Sequence, residues 1–165
     1  MQNKTTLQRR IRLMLVFFMC ALAASGLTAI PLHWELGLLM PVIAKAAQWG
    51  VSFPAFSEWI ARVNAAVQNG YGQYPFLAYG TDWLAFGHVA IALAFFGPLR
   101  DPIRNIWVIE FGMFACLLVI PWTLLFGAIR EIPFFWQLID MSFGILGIIP
   151  LWMARQGILE LTREL

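Results

Sequence analysis

The sequence predicts an all-α polytopic membrane protein, a bundle of four transmembrane helices with an extracytoplasmic amphipathic segment between the first two. Of its 165 residues, 61% are hydrophobic and 12% are charged, whereas soluble domains are about 45–50% apolar and about 25% charged. A water-soluble fold of this composition would expose apolar patches that monomers avoid. The apolar residues also fall in blocks about as long as a bilayer is thick. Residues 1–165 are therefore treated as a single membrane domain.

The first transmembrane helix is predicted at 13–32. This run has no charged side chain and follows a basic segment, and its length matches the hydrocarbon core of a bilayer. A basic start, an apolar run and Ala-Leu-Ala at 21–23 are also typical of a secretory signal peptide. The apolar run is longer than the usual signal core, which favours a retained helix. One face carries small residues that let a neighbouring helix approach closely, namely Ala21, Ala24, Ser25 and Thr28.

The segment 33–77 is the one long connection, and it is not apolar enough to span a bilayer. Its second half predicts an amphipathic helix that ends at Asn69-Gly70, because apolar residues recur at helical spacing: Phe56, Trp59, Ile60, Val63 and Val67. A weaker helical pattern covers 37–49. The segment is expected to lie on the bilayer surface or to cap the bundle.

The remaining spans are predicted at 80–99, 103–129 and 133–153. Gly97-Pro98 is expected to end the second span, and Asp101 is expected to cap the third, with Pro102 at its first helical position. Pro121 predicts a kink inside the third span, and Pro133 is expected to open the fourth. The turns between these spans are short, so the three helices are predicted to be antiparallel neighbours.

The distribution of Lys and Arg predicts the orientation. Eight basic residues fall on the side of the N-terminus and three on the other side. Positive residues accumulate in cytoplasmic loops, so both termini are expected in the cytoplasm, and 33–77 outside. We expect the host to be a bacterial inner membrane.

The strongest functional signal is a set of three ionisable side chains, His88, Glu110 and Asp140, one in each of the last three spans. A charged group in hydrocarbon costs about 3–17 kcal/mol, so such residues usually face a bundle interior and mark functional sites. We predict that they form a polar ligand-binding cluster. The structural alternative is a His–Asp hydrogen bond that fixes helix register, with Glu110 paired to an inner arginine. Asp140 shares a helical face with Gly144 and Gly147, which predicts that it points inward.

A second group lies at the predicted outer boundary. These residues are interpreted as a rim of solvated ion pairs, each contributing little to stability, or as a vestibule leading to the cluster: His33, Glu35, Asp82, Arg130 and Glu131.

Metal and cofactor sites are not predicted. The two histidines, His33 and His88, are expected at different depths, and zinc needs a tighter cluster of ligands. Cys20 and Cys116 lack C-x-x-C spacing and are predicted to be free, buried thiols. The basic residues are dispersed, so no nucleic-acid surface is expected.

The biochemical role is left unassigned by the sequence. A small ligand-binding or accessory subunit is preferred, whose partners are the lipid bilayer and a lipid-soluble small molecule or other membrane subunits. An intramembrane acid–base enzyme acting on a lipid-soluble substrate and a proton or ion conduit remain alternatives, so enzymatic activity is left open. The small-residue face of the first span also permits a homo-oligomer.

Overall fold

A computed structural model describes residues 4–51 and 53–163, and these residues form helices and turns with no strand among them. The helices, in chain order, are α1 (Lys4–Leu27), α2 (Leu32–Gln48), α3 (Pro54–Gln73), a 3₁₀ turn (Pro75–Ala78), α4 (Tyr79–Ala94), α5 (Phe96–Arg100), α6 (Ile106–Ile129) and α7 (Phe134–Arg163).

Four stretches of the described chain are long and apolar enough to cross a membrane: Lys4–Leu27, Pro75–Arg100, Ile106–Ile129 and Phe134–Arg163. The prediction of an all-helical chain with four candidate membrane spans is confirmed at this level. The chain divides into two compact units, a terminal unit of Met1–Leu22 with Ala90–Leu165 and a middle unit of Ala23–Val89.

The terminal unit is built on an antiparallel hairpin of α6 and α7. A Cβ added to Gly144 in α7 would overlap the backbone oxygen of Cys116 in α6, and one added to Gly127 in α6 would meet the side chain of Gln137 in α7. Cys116 precedes Gly127 in α6, whereas their partners come in the opposite order in α7, Gln137 before Gly144, so the two helices are antiparallel. Gly147 lies against the Cys116 thiol, with an added Cβ 3.1 Å from Sγ. Gly144 and Gly147 are therefore packing glycines, as predicted.

The first turns of α1 pack on the last turns of α7. Leu7 and Ile11 are 2% and 1% exposed, and a Cβ on Gly157 would lie 2.9 Å from Ile11 Cγ1. Both helices extend beyond the predicted spans, because the charged segments at either end contain apolar residues at helical spacing. These residues are buried along one seam, which Leu15 of the predicted first span continues: Leu7, Ile11, Ala154, Ile158 and Leu161.

The helix of the second span breaks at Phe95, earlier than the predicted stop at Gly97-Pro98, which lies inside α5. Pro98 has no N–H to donate to the carbonyl one turn before it, which weakens the helix at this point. Phe95, at the break, is fully buried, and its ring lies 4.9 Å from the ring of Phe18, centroid to centroid.

The prediction that Pro102 opens the third span is wrong, since α6 begins at Ile106. Residues 102–105 form turns instead. The carboxylate of Asp101 accepts a hydrogen bond from the Arg104 N–H (3.1 Å). The Asn105 amide donates to the Asp101 carbonyl (2.9 Å). These side-chain bonds offer the backbone an alternative to a helix, so Pro102 stands in the turn.

In the middle unit, α2 and α3 pack against each other. The Gln68 amide of α3 donates a 2.6 Å hydrogen bond to the backbone oxygen of His33 in α2. The predicted end of α3 at Asn69-Gly70 is wrong, because the helix continues to Gln73 and the Tyr74 N–H bonds the Gly70 carbonyl. A glycine at the end of a periodic pattern favours termination, but here the helix passes through it.

Two further predictions, about the cysteines and about one face of α1, are corrected. Cys20 and Cys116 are free, as expected, but Cys20 is exposed and Cys116 is only half-buried. The small-residue face predicted to meet a neighbour is also exposed along its length: Ala21, Ala24, Ser25 and Thr28. Gly26, on a different face, makes the close approach instead, because only a residue without a Cβ leaves room for it.

Replacing Gly144 with Ala tests the hairpin. The new methyl group would overlap the carbonyl oxygen of Cys116, and a backbone atom cannot move aside cheaply, so we expect Gly144→Ala to destabilise the fold by about 1–3 kcal/mol. Thermal unfolding in detergent, followed by circular dichroism, measures the change. Gly87→Ala is the matched control, because its Cβ meets nothing within 4 Å and a helical Gly-to-Ala change is stabilising by about 1 kcal/mol. Equal stability of the two variants would contradict the packing described.

Candidate functional site

Glu110 of α6 forms an ion pair across the hairpin. Arg155 Nε in α7 donates a hydrogen bond to Glu110 Oε1 at 2.9 Å, and the two side chains are 32% and 48% exposed, respectively. The structure therefore shows Glu110 paired with an arginine. That this arginine lies on the cytoplasmic side stays a prediction.

Asp140 lies near the start of α7 and is half-buried. It is one turn from Gly144, on the face that packs on α6. Within the described part of the terminal unit, the Asp140 carboxyl group has neither a hydrogen bond nor an ion pair, in contrast to Glu110. Asp140 is therefore a polar group of the hairpin with hydrogen-bonding capacity to spare.

An apolar groove of about 310 Å³ runs along α6. One of its residues, Val119, faces Gly144, with its Cβ 3.2 Å from the position of a glycine Cβ. One turn along each antiparallel helix from this pair, Thr123 comes level with Asp140. The end of the groove at Thr123 is therefore at the level of Asp140 along the hairpin. Its lining is Ala115, Leu118, Val119, Trp122 and Thr123.

His88 belongs to the middle unit, where it lies half-buried in α4. Its Nδ1 is 2.8 Å from the backbone oxygen of Leu84. A carbonyl oxygen only accepts, so the neutral ring carries its proton on Nδ1 and leaves Nε2 as a hydrogen-bond acceptor. A Cβ on Gly26 of α1 would lie 2.8 Å from His88 Cγ, so this glycine makes room for the ring. That His88 meets Asp140 stays a prediction, since the two residues lie in different units.

The five predicted rim residues divide between the units. His33, Glu35 and Asp82 lie in the middle unit, at the starts of α2 and α4. Arg130 and Glu131 lie in the exposed turn that follows α6, where Glu131 has a positive φ of 56°. Within its own unit, as far as the chain is described, none of the five forms an ion pair.

Sequence reasoning missed Gln137, the buried polar residue of the described chain. Its amide donates a 2.8 Å hydrogen bond to the Ile132 carbonyl, and its side chain lies against Gly127. Gln137 therefore closes the turn between α6 and α7. A polar residue at the start of an apolar run was the available signal. No group of three His, Cys, Asp or Glu side chains in the described residues could hold a metal ion.

Charge reversal tests the Glu110–Arg155 pair. Glu110→Arg and Arg155→Glu each place like charges together, so we expect each to lower the free energy of unfolding by about 1 kcal/mol, and the double variant to recover most of that loss. Thermal unfolding in detergent measures both. Glu160→Arg, an exposed change on the same helix, is the control and is expected to leave stability nearly unchanged. Strictly additive effects in the double variant would show that the pair contributes nothing.

The hairpin thus offers a carboxyl group beside an apolar groove, and the middle unit offers an imidazole nitrogen of fixed tautomer. Both accept hydrogen bonds, which suits the recognition of a donor group. No protein-family model, curated protein or solved structure matches this chain.

Proposed function

We propose that this chain is a small integral membrane protein that binds a lipid-soluble molecule on the α6–α7 hairpin. The molecule's apolar body lies in the groove, and its hydrogen-bond donor meets Asp140. The observation that carries the proposal is the half-buried carboxyl group of Asp140, which has no partner in the described part of its own unit.

The chemistry of the ligand follows from its surroundings. An ionisable group in hydrocarbon is costly unless it is paired, and a hydroxyl or amine donor forms its strongest hydrogen bonds with a carboxylate. The groove is lined almost entirely by apolar side chains and has a volume of about 310 Å³, at the small end of the range for ligand pockets. A compact apolar molecule with one polar head fits this combination.

Glu110 is not part of the proposed contact, because Arg155 already pairs with it. His88 belongs to the middle unit and is not used in the proposed contact. A binding role needs only the hydrogen bond to Asp140. An acid–base enzyme or a conduit would also need proton exchange at the same groups.

We propose further that both termini lie in the cytoplasm of a bacterial cell, with the chain in the inner membrane and residues 33–77 outside. The support is the excess of basic residues on the side of the termini, eight against three. The seam between the ends of α1 and α7 then lies at the cytoplasmic surface. Its exposed arginines face anionic headgroups there: Arg9, Arg10, Arg12 and Arg163.

Native mass spectrometry of the gently extracted protein tests the ligand. We expect the wild type to carry a small molecule of a few hundred daltons, and Asp140→Asn, which keeps the shape but weakens the acceptor, to lose at least tenfold in occupancy, the equivalent of one charge-assisted hydrogen bond. Leu118→Trp, which narrows the groove without touching Asp140, is expected to lose the same molecule.

The matched control is Glu160→Gln, which neutralises an exposed carboxylate on the same helix and is expected to keep the ligand. Circular dichroism confirms that each variant is folded. Undiminished occupancy in Asp140→Asn, or a wild type that carries no such molecule, would refute the proposal.

Cysteine labelling tests the orientation. In a variant with Cys20 and Cys116 replaced by Ala, we expect Ser57→Cys in α3 to react with a membrane-impermeant maleimide in intact cells. Thr162→Cys near the end of α7 is expected to react only after the membrane is permeabilised. The reverse pattern would show that the topology is inverted. Labelling of both sites from outside would show that one of the three proposed crossings between them is missing.

A further inference from the structure

The first turns of α4 carry a second groove, of about 250 Å³, which we call the α4 groove. It is lined by Tyr79, Asp82, Trp83 and Phe86. These positions are three or four residues apart, so their side chains share one face of the helix. All four are exposed, and the three rings are 55–61% exposed.

The rings of the α4 groove are arranged edge to face. Tyr79 and Trp83 have ring centroids 5.9 Å apart and planes at 88°. Trp83 and Phe86 have centroids 5.4 Å apart and planes at 83°. In this arrangement neighbouring rings stand nearly at right angles. Each edge-to-face contact covers one face of one ring, so the two contacts leave other ring faces uncovered for a third group, and an aromatic face attracts cations.

Asp82 adds a full negative charge to the same groove. In the described part of the middle unit its carboxylate has neither an ion pair nor a hydrogen bond, and neither Lys nor Arg lines the groove. The same unit shows a cation on an aromatic ring elsewhere, with Lys45 Nζ lying 5.2 Å from the centroid of Trp49. The α4 groove has the rings and the counter-charge for such a contact, but not the cation.

We propose that the α4 groove binds the ammonium group of a zwitterionic phospholipid headgroup. The cation would lie between the Asp82 carboxylate and the face of Trp83. The inference rests on the membrane placement in the proposed function, because the groove lies within the first turns of the candidate span Pro75–Arg100. Tyr and Trp are enriched at this depth, at the level of the headgroups.

Charge and shape select this occupant. Three electron-rich rings and a carboxylate exclude an anionic headgroup without an ammonium, such as that of phosphatidylglycerol. Because the groove lies on one helix and is open, it makes few contacts with a ligand and would bind a dissolved one weakly. Lipid headgroups, in contrast, surround the groove at high local concentration. An ordinary aromatic belt would bind both lipid types alike and would not depend on Asp82.

Lipid selection tests the proposal. The full chain is equilibrated in mixed micelles that contain equal amounts of phosphatidylethanolamine and phosphatidylglycerol, and the bound lipids are counted by native mass spectrometry. We expect the wild type to be enriched about two- to fivefold in phosphatidylethanolamine, the size of one exposed cation–π contact. Asp82→Asn and Trp83→Leu are each expected to abolish the enrichment, and Trp83→Phe to retain part of it.

Glu58→Gln is the matched control, because Glu58 is an exposed carboxylate in the same unit that does not line the groove. It is expected to keep the full enrichment. Asp140→Asn is expected to keep the enrichment as well, because Asp140 does not line the α4 groove. Loss of the ligand proposed for the hairpin can therefore be distinguished from loss of headgroup binding. Equal binding of the two lipids by the wild type, or unchanged enrichment in Asp82→Asn, would overturn the inference.

Competition separates a headgroup from a dissolved cation. Phosphoethanolamine, added at the same ionic strength as a sodium chloride control, is expected to leave the bound phosphatidylethanolamine in place. Displacement at millimolar concentration would instead identify the α4 groove as a site for soluble ammonium compounds and would overturn the assignment to a lipid.

Discussion

The hairpin of α6 and α7 depends on the close approach of two backbones, which glycine permits. At Gly144 the backbone of α6 occupies the space that a side chain would need. In an apolar medium the hydrophobic effect does not drive helices together, so dispersion contacts between closely packed backbones must supply the attraction. Gly127 and Gly147 extend the same contact along the hairpin. The register that they fix also places Asp140 level with Thr123, at the end of the apolar groove.

The rest of the terminal unit is assembled on this hairpin by side chains. Leu7 and Ile11 of α1 are buried beside Gly157 at the end of α7, and the ring of Phe95 packs against that of Phe18 in α1. The charged first turns of α1 and last turns of α7 are thus held together by apolar residues spaced one turn apart. Arginines on the outer face of the same turns remain exposed, so one helical segment serves both packing and contact with polar surroundings.

Polar groups in the apolar parts of the chain fall into two classes, those with a partner inside the fold and those without one in the described part of their unit. Glu110 and Gln137 have partners in the fold, Arg155 and the Ile132 carbonyl. Asp140 and Asp82 have none in the described parts of their own units, and each lies by a groove. This contrast separates residues that hold the helices together from residues that we propose meet a ligand.

The sequence by itself determined the helical class and the four candidate membrane spans, because apolar length and composition are local properties of the chain. It also identified Gly144 and Gly147 as packing residues, from their spacing. The tertiary structure alone decided that Arg155 is the partner of Glu110 and that Gly26, rather than the Ala-rich face of α1, makes the close approach. It also decided that Pro102 lies in a turn and that the charged segments 4–12 and 154–163 are helical. Each of these depends on atoms brought together by residues distant in sequence or on competing hydrogen bonds, and neither spacing nor hydropathy records them.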